Sequence, residues 1–144
     1  MRVLLDTNVL LDFIAVREPY YMAALRIIDA CDCEIIDGYI AAQSFPDIYY
    51  ILRKNISPAD RREILKALCS ICDVAALDRE KIVNALNDED FADYEDCLIM
   101  NCAASFGAEY IITRNCADFE GSIIPAISPD DFCRVFLEEE SNND

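Results

Sequence analysis

Apolar runs and helical spacing alternate from one end of the chain to the other. Val3 to Leu5 is an unbroken apolar run that predicts a buried strand, and Thr7 and Asn8 are placed to cap a helix reaching about Ala15. "EPYYMAALRIIDAC" carries Met22, Leu25 and Ile28 at helical spacing, and "EIIDGYIA" predicts a strand kinked near Gly38. "QSFPDIYYILRKN" predicts a helix with Pro46 in its first turn, where a missing N–H costs nothing. Ser57, Pro58 and Asp60 stand in N-cap, N1 and N3 order before the next helix. A short strand "VAAL", a helix "DREKIVNALND" and a helix opened by Asp93 and closed by Gly107 follow. "YIIT" predicts a fourth strand and "IPAI" a fifth, and Ser128 repeats the Ser-Pro start for a last helix.

Strands that are apolar throughout, and separated by helices, are buried on both faces. The expected fold class is therefore α/β, a three-layer α/β/α sandwich with a central, mainly parallel sheet. No repeat, linker or composition break divides the chain, so one domain is expected over residues 1–137, with an acidic polar tail over 138–144 that frays into solvent. In such sheets ligands bind outside the carboxyl ends of the strands.

Hydrophobic residues make up 54% of the chain, yet Asp, Asn or Arg breaks each apolar run well short of the ~20 residues of a membrane span. Arg2 is the only early basic residue and Asp6 interrupts the first apolar run, so no export signal is expected and a cytoplasmic location is. The eight cysteines include a C-x-x-C at Cys69 and Cys72, inside a helical pattern. With no histidine and no second C-x-x-C to complete a zinc shell, they are expected to act as small buried hydrophobes, a thiol-based metal or redox module being the weaker alternative. Lys and Arg number 12 against 28 Asp and Glu, and the resulting charge of −16 argues against a broadly basic nucleic-acid binder. A phosphate substrate would need imported metal ions and locally placed basic residues; a basic protein partner fits the charge equally.

Asp6 ends a core strand, where stability gives little reason for a carboxylate, since Thr7 and Asn8 already offer capping groups. Asp47 and Asp96 fall in first helical turns, and "TRNCADF" after the fourth strand offers Thr113, Asn115 and Asp118. A parallel sheet would bring all of these to one edge. Two carboxylates about 4 Å apart repel by roughly 4 kcal/mol at an effective dielectric of 20, so such a cluster shares protons or binds a cation. Oxygen ligands without histidine suit Mg²⁺ or Mn²⁺. Ordinary explanations stand beside this one: first-turn acids are favoured by the helix dipole, Asp93 and Asp96 are spaced as a capping pair, and Asp118 fits a turn. Asp12, Glu95 and the "NDED" run at 87–90 read as solvated.

In this order and spacing the residues resemble the PIN-domain family, particularly the toxin-like ribonucleases of toxin–antitoxin pairs. The likeness runs from "LLDTNVLLDF" through "DIYYILRK" and "YEDCLIMNCAASFGAEYIITRNCADF" to "ISPDDF", nearly the whole chain. It implies a metal-dependent endoribonuclease that hydrolyses single-stranded RNA to 5′-phosphate and 3′-hydroxyl ends. Asp6, Asp47 and Asp96 match the family's first three acids, with catalytic and metal-holding roles, and Asn115 stands where an acid is often found. Asp118 is the further acid available to a metal, while Asn8 and Thr113 orient carboxylates or water. The RNA backbone would fall to Arg17, Arg53, Lys54 and Arg114, for each of which a solvated surface role is as good. The residues "PYY" at 19 to 21 and "YY" at 49 and 50 suit either an interface or the core. The resemblance also implies an antitoxin partner and a homodimer. The rival reading is a binding or scaffold domain with weak or no catalysis, which Asn115 and the acidic charge favour.

Overall fold

The computed structural model describes residues 1–138, so the predicted tail lies, from residue 139 on, outside the described residues. Five strands are formed: β1 (Arg2–Leu5), β2 (Asp37–Ala41), β3 (Asp73–Ala75), β4 (Tyr110–Ile112) and β5 (Ala126–Ile127). They pair in parallel throughout, in the order β3-β2-β1-β4-β5. Between and after them run α1 (Thr7–Ile14), α2 (Tyr21–Asp32), α3 (Ser44–Ile51), α4 (Pro58–Ile71), α5 (Arg79–Asn87), α6 (Tyr94–Ser105) and α7 (Pro129–Phe132).

The unbroken apolar run at the start of the chain is explained by two cores. Val3 and Leu5 join one with Leu10, Ile27, Leu68 and Phe132, on the side of α1, α2, α4 and α7. Leu4 points the other way, to Ala85, Leu98 and Cys102 of α5 and α6. Successive strand residues face opposite sides of a sheet, and both sides here are covered. All three residues are fully buried, each stabilising the fold by about 1.5–3 kcal/mol. Helix α6 is apolar almost all round because it too is enclosed, with Cys97, Leu98, Ile99, Met100, Cys102 and Ala103 buried.

Three predicted caps are made: Ser57 Oγ accepts from the Asp60 N–H at 3.2 Å, Asp93 Oδ1 from that of Asp96 at 3.0 Å, and Ser128 Oγ from that of Asp131 at 3.1 Å. Gly107 closes α6 at φ +72°, a conformation that costs glycine little. Other details differ from expectation. The N-cap of α1 is Asp6 itself, whose Oδ1 accepts from the Thr7 N–H at 2.8 Å, rather than Thr7 or Asn8. Gly38 lies in regular register opposite Val3, and what it supplies is space. A Cβ there would stand 2.5 Å from Cys31 Sγ and 3.1 Å from Cys72 Sγ. The helix after β2 tightens into a 3₁₀ turn over Leu52–Lys54, and the last helix becomes a π-helical turn over Cys133–Leu137. Among the described residues no helix is long and apolar enough to cross a membrane.

Strand β1 sits at the centre, with β2 on one side and β4, supplied much later in the chain, on the other. The strand order therefore reverses beside the end of β1, the place where open parallel sheets leave a crevice. Asp6 is the first residue beyond that end.

Candidate active site

In a parallel sheet the helices start where the strands end, and α6 runs back toward the beginning of β4. The N-termini of α1, α3 and α6 consequently meet at one edge, each directing its positive dipole end there. They enclose an open cleft of about 630 Å³ lined by Asp6, Asn8, Asp47, Asp96 and Asn115. Residues spaced far apart in the chain are thus brought together as the acid pattern required.

Asp6 is the most enclosed of them, only 9% exposed. Its Oδ2 accepts from Thr113 Oγ1 at 2.8 Å, and Asn8 Nδ2 approaches the same oxygen at 3.5 Å. Thr113 is fully buried and in turn accepts from the Asn115 N–H at 3.0 Å, so the turn after β4 is tied to the carboxylate through one hydroxyl. Burial pushes the Asp6 carboxyl up from its ordinary value, with the Asp118 charge adding to it, while Thr113, the Thr7 N–H and Arg114 work against the rise. Asp96, half-buried at the start of α6, is pushed up to about 6 by burial and then by the charges of Asp93, Asp6, Asp118 and Glu95. Negative charge in this cleft is under-compensated by the protein alone.

Several sequence readings change here. Asp118 does not line the cleft; it sits in the 3₁₀ turn Cys116–Phe119 and is felt through its charge. Thr113 keeps the orienting place expected of it, donating to Asp6 from outside the cleft lining. Glu95 is exposed, as expected, and lines the cleft as well. Asp12, also expected in solvent, is 0% exposed and holds Arg114 by two hydrogen bonds, from Nε at 2.6 Å and Nη2 at 3.2 Å. The Arg114 guanidinium lies 4.0 Å from the centre of the Tyr20 ring, so this arginine is a brace between α1 and the β4 exit rather than a free backbone contact. Asp12 does follow Asn8 by one helical turn, which is the signal that would have put it on the protein-facing side of α1. Tyr94 also lines the cleft and carried no signal beyond its place beside the acids.

A family model described as PIN domain matches residues 2–117. The chain belongs to the PIN domain family. Among solved structures, a toxin–antitoxin complex from Klebsiella pneumoniae is similar at 22% identity and a TM-score of 0.63, over 88% of this chain and 97% of that one. VapBC2 from Rickettsia felis, bound to a DNA fragment from its promoter, is similar at 14% identity and a TM-score of 0.64, over 89% and 98%. VapC20 from Mycobacterium tuberculosis, a toxin that cleaves the sarcin–ricin loop, is similar at 10% identity and a TM-score of 0.61, over 94% and 97%. At these identities the likeness shows the shared fold. No curated protein matches.

Whether this PIN domain's residues suit a divalent cation follows from their donors. Asn8 Oδ1 is a buried acceptor with no partner in the protein, beside a carboxylate that burial disfavours and another raised by burial and then by like charge. These are oxygen donors short of positive charge, which fits a hard cation. Among the described residues, however, no three carboxylate, thiol or imidazole side chains stand close enough to enclose an ion. The arrangement therefore fits Mg²⁺ or Mn²⁺ gripped by one or two carboxylates with water completing the shell, which is how Mg²⁺ is commonly bound.

The cysteines are all free thiols, and those at 31, 72, 97, 102 and 133 are buried, as small hydrophobes are. Cys33 and Cys69 are exposed and Cys116 is half-buried. Cys31 and Cys72 hydrogen-bond each other across Gly38, which pushes the Cys31 thiol up and draws that of Cys72 down.

Proposed function

We propose that this PIN domain is a divalent-metal-dependent endoribonuclease that hydrolyses phosphodiester bonds in single-stranded RNA, as the toxin of a toxin–antitoxin pair. The observation that carries the reading is the meeting of Asp6, Asp47 and Asp96 in one cleft, from three helix starts. Family membership and the toxin–antitoxin proteins of the same fold support it. Asp6, Asp47 and Asp96 would hold Mg²⁺ or Mn²⁺, directly or through water, with Asn8 and Asn115 offering neutral oxygens. When bound, such an ion supplies Lewis-acid polarisation of the phosphate and acidifies water for in-line attack.

The chain's own residues set the geometry. Thr113 and the Thr7 N–H fix both oxygens of Asp6, so its carboxylate is aimed before any ligand arrives. Thr7 Oγ1 and Ser44 Oγ share a 2.8 Å hydrogen bond that ties the start of α1 to that of α3, and hence the Asp6 side of the cleft to the Asp47 side. Asn115 brings an oxygen without charge to the place where an acid would tighten a second ion, which favours a single firmly held ion; Asp118 lies outside the cleft lining, with its charge felt by Asp6 and Asp96. An antitoxin chain and a second copy of this chain are the partners that go with this reading.

Asn115, and the lack of three preassembled acids among the described residues, favour a second reading, a nucleic-acid or protein-binding PIN domain with weak or no catalysis. Purified protein incubated with unstructured RNA and Mn²⁺, beside an Asp6→Asn control, separates the two. Cleavage that needs Mn²⁺ and disappears in the control supports the nuclease. Equal cleavage in both samples marks a contaminant, and no cleavage across varied RNAs supports the binding domain.

A further inference from the structure

The cleft presents a difficulty to any nucleic acid. Among the described residues that line it are four carboxylates, Asp6, Asp47, Glu95 and Asp96, and no lysine or arginine. The whole chain carries −16, so its net charge does not draw a polyanion toward the site. A divalent ion compensates charge at one phosphate only. The remaining affinity for a strand has to come from contacts that do not depend on charge.

Two such contacts are built into the rim. Tyr50 follows Asp47 by three residues on α3, on the same helix face. It is 61% exposed, although a tyrosine with a core role would be covered. Tyr94 is the first residue of α6, two before Asp96, and is 42% exposed. Both line the cleft, yet they come from helices packed against opposite faces of the sheet. Tyr50 is held in place by Arg53, whose guanidinium lies 3.7 Å from its ring centre and whose Nη1 donates to the Tyr50 carbonyl at 3.0 Å. That pairing covers one face of the Tyr50 ring with a cation and leaves the other face for a base.

We propose that Tyr50 and Tyr94 are base-stacking platforms flanking the carboxylates, so that the cleft takes an unpaired nucleotide step with its phosphate over the acids and a base on each ring. The proposal rests on the nuclease reading and deepens it by naming the side chains that would hold the bases. Bases inside a duplex have both faces occupied, so two free faces demand a single-stranded segment. Stacking accepts any base because every base has a π-face, so the rings select unpaired form rather than sequence. Arg53 and the adjacent Lys54 follow Tyr50 in the next turn of the chain, while Arg114, whose charge reaches Asp6, is already held by Asp12. With Arg53 and Lys54 as the phosphate contacts, the slope of log affinity against log salt for a single strand is about −1.4. A protein segment on the same rings is the competing occupant. The lack of any basic side chain in the cleft does not distinguish it, but two exposed rings in one cleft with oxygen donors suited to a divalent ion favour nucleotides.

The test uses short unstructured RNAs, intact or with an abasic position on either side of the cleaved bond, and the full chain as wild type, Tyr50→Leu, Tyr94→Leu and the two Tyr→Phe variants. Cleavage is followed in Mn²⁺ and binding by fluorescence anisotropy. Each Leu variant is expected to raise KM and Kd by about 5- to 150-fold, the loss of one base–aromatic stack, with kcat little changed. The Phe variants keep the ring and match wild type. The matching abasic RNA weakens wild type by a similar factor and weakens the corresponding Leu variant no further. Overturning results are Leu variants that bind and cleave intact RNA as wild type does, or abasic and Leu losses that multiply; either would hand the rings to a protein partner. Failure of the nuclease reading looks different: wild type would not cleave at all, and anisotropy with the same oligonucleotides would still decide the stacking.

Discussion

Replacing Thr113 by Val keeps the shape of a fully buried side chain and removes its hydroxyl. That hydroxyl makes two hydrogen bonds, donating to Asp6 Oδ2 at 2.8 Å and accepting from the Asn115 N–H at 3.0 Å. The first reaches a charged group, worth about 1.5–3 kcal/mol, and loss of the second strands a backbone donor at about 1–3 kcal/mol. Overlap between the two through relaxation of the turn leaves an expected loss of about 2–5 kcal/mol near neutral pH. The loss has a pH signature. Thr113 holds the raised Asp6 carboxyl down, so without it the folded-state value climbs further from the unfolded one. A group raised on folding binds more protons in the folded state, so its penalty is present above the folded value and fades as pH falls through it. The Thr113→Val deficit should therefore be larger at pH 7.5 than at pH 4.5. Urea denaturation of wild type, Thr113→Val and Thr113→Ser at both pH values measures this, and the Ser variant should stay close to wild type. Divalent-ion affinity, read by calorimetry, should fall by about 10- to 100-fold, as for other residues that orient a metal-binding carboxylate. A deficit of equal size at both pH values would place the role of Thr113 in packing and refute the electrostatic argument.

Three further outcomes are expected. Asp12→Leu leaves Arg114 without its buried partner and should cost about 3–5 kcal/mol in chemical denaturation, while adding Arg114→Met should recover much of that; a double variant no more stable than the single would deny the brace. Asp96 is raised to about 6, so its ionisation disfavours the metal-free fold progressively as pH rises from the ordinary carboxylate value of 3.8 toward and past 6. Asp96→Asn should accordingly gain on wild type in urea between pH 5 and pH 7.5 without divalent ions, and a pH-independent difference would contradict it. Gly38→Ala places a methyl 2.5 Å from Cys31 Sγ, an overpacking expected to cost about 1–3 kcal/mol, and Cys31→Ala in the same chain should relieve it. Additive losses in the thermal melts of that pair would rule the contact out.

The fold was legible because its strands are short, apolar and separated by well-capped helices. Ser57, Asp93, Gly107 and Ser128 mark helix ends through local chemistry, and local chemistry is what a sequence carries. The site was legible in its acids, since a charge at the end of an apolar strand conflicts with core formation and asks for another reason. What failed was orientation. Asp12 and Glu95 both read as solvated, yet Asp12 is sealed beneath Arg114 while Glu95 is exposed. The difference is made by a partner 102 residues away. Gly38 was misjudged in the same way, because its demand for space comes from Cys31 and Cys72 rather than from its own backbone.

The hydrogen bond from Thr113 to Asp6 spans 107 residues of chain. During translation Asp6 leaves the ribosome first and waits for the strand that will house it, about 5–20 s at roughly 5–20 residues per second. A nascent polypeptide short of β4 lacks both the neighbour of β1 and the hydroxyl that aims the carboxylate. Assembly of the cleft on the nascent chain therefore waits for residue 113, a delay imposed by strand order with no second protein needed.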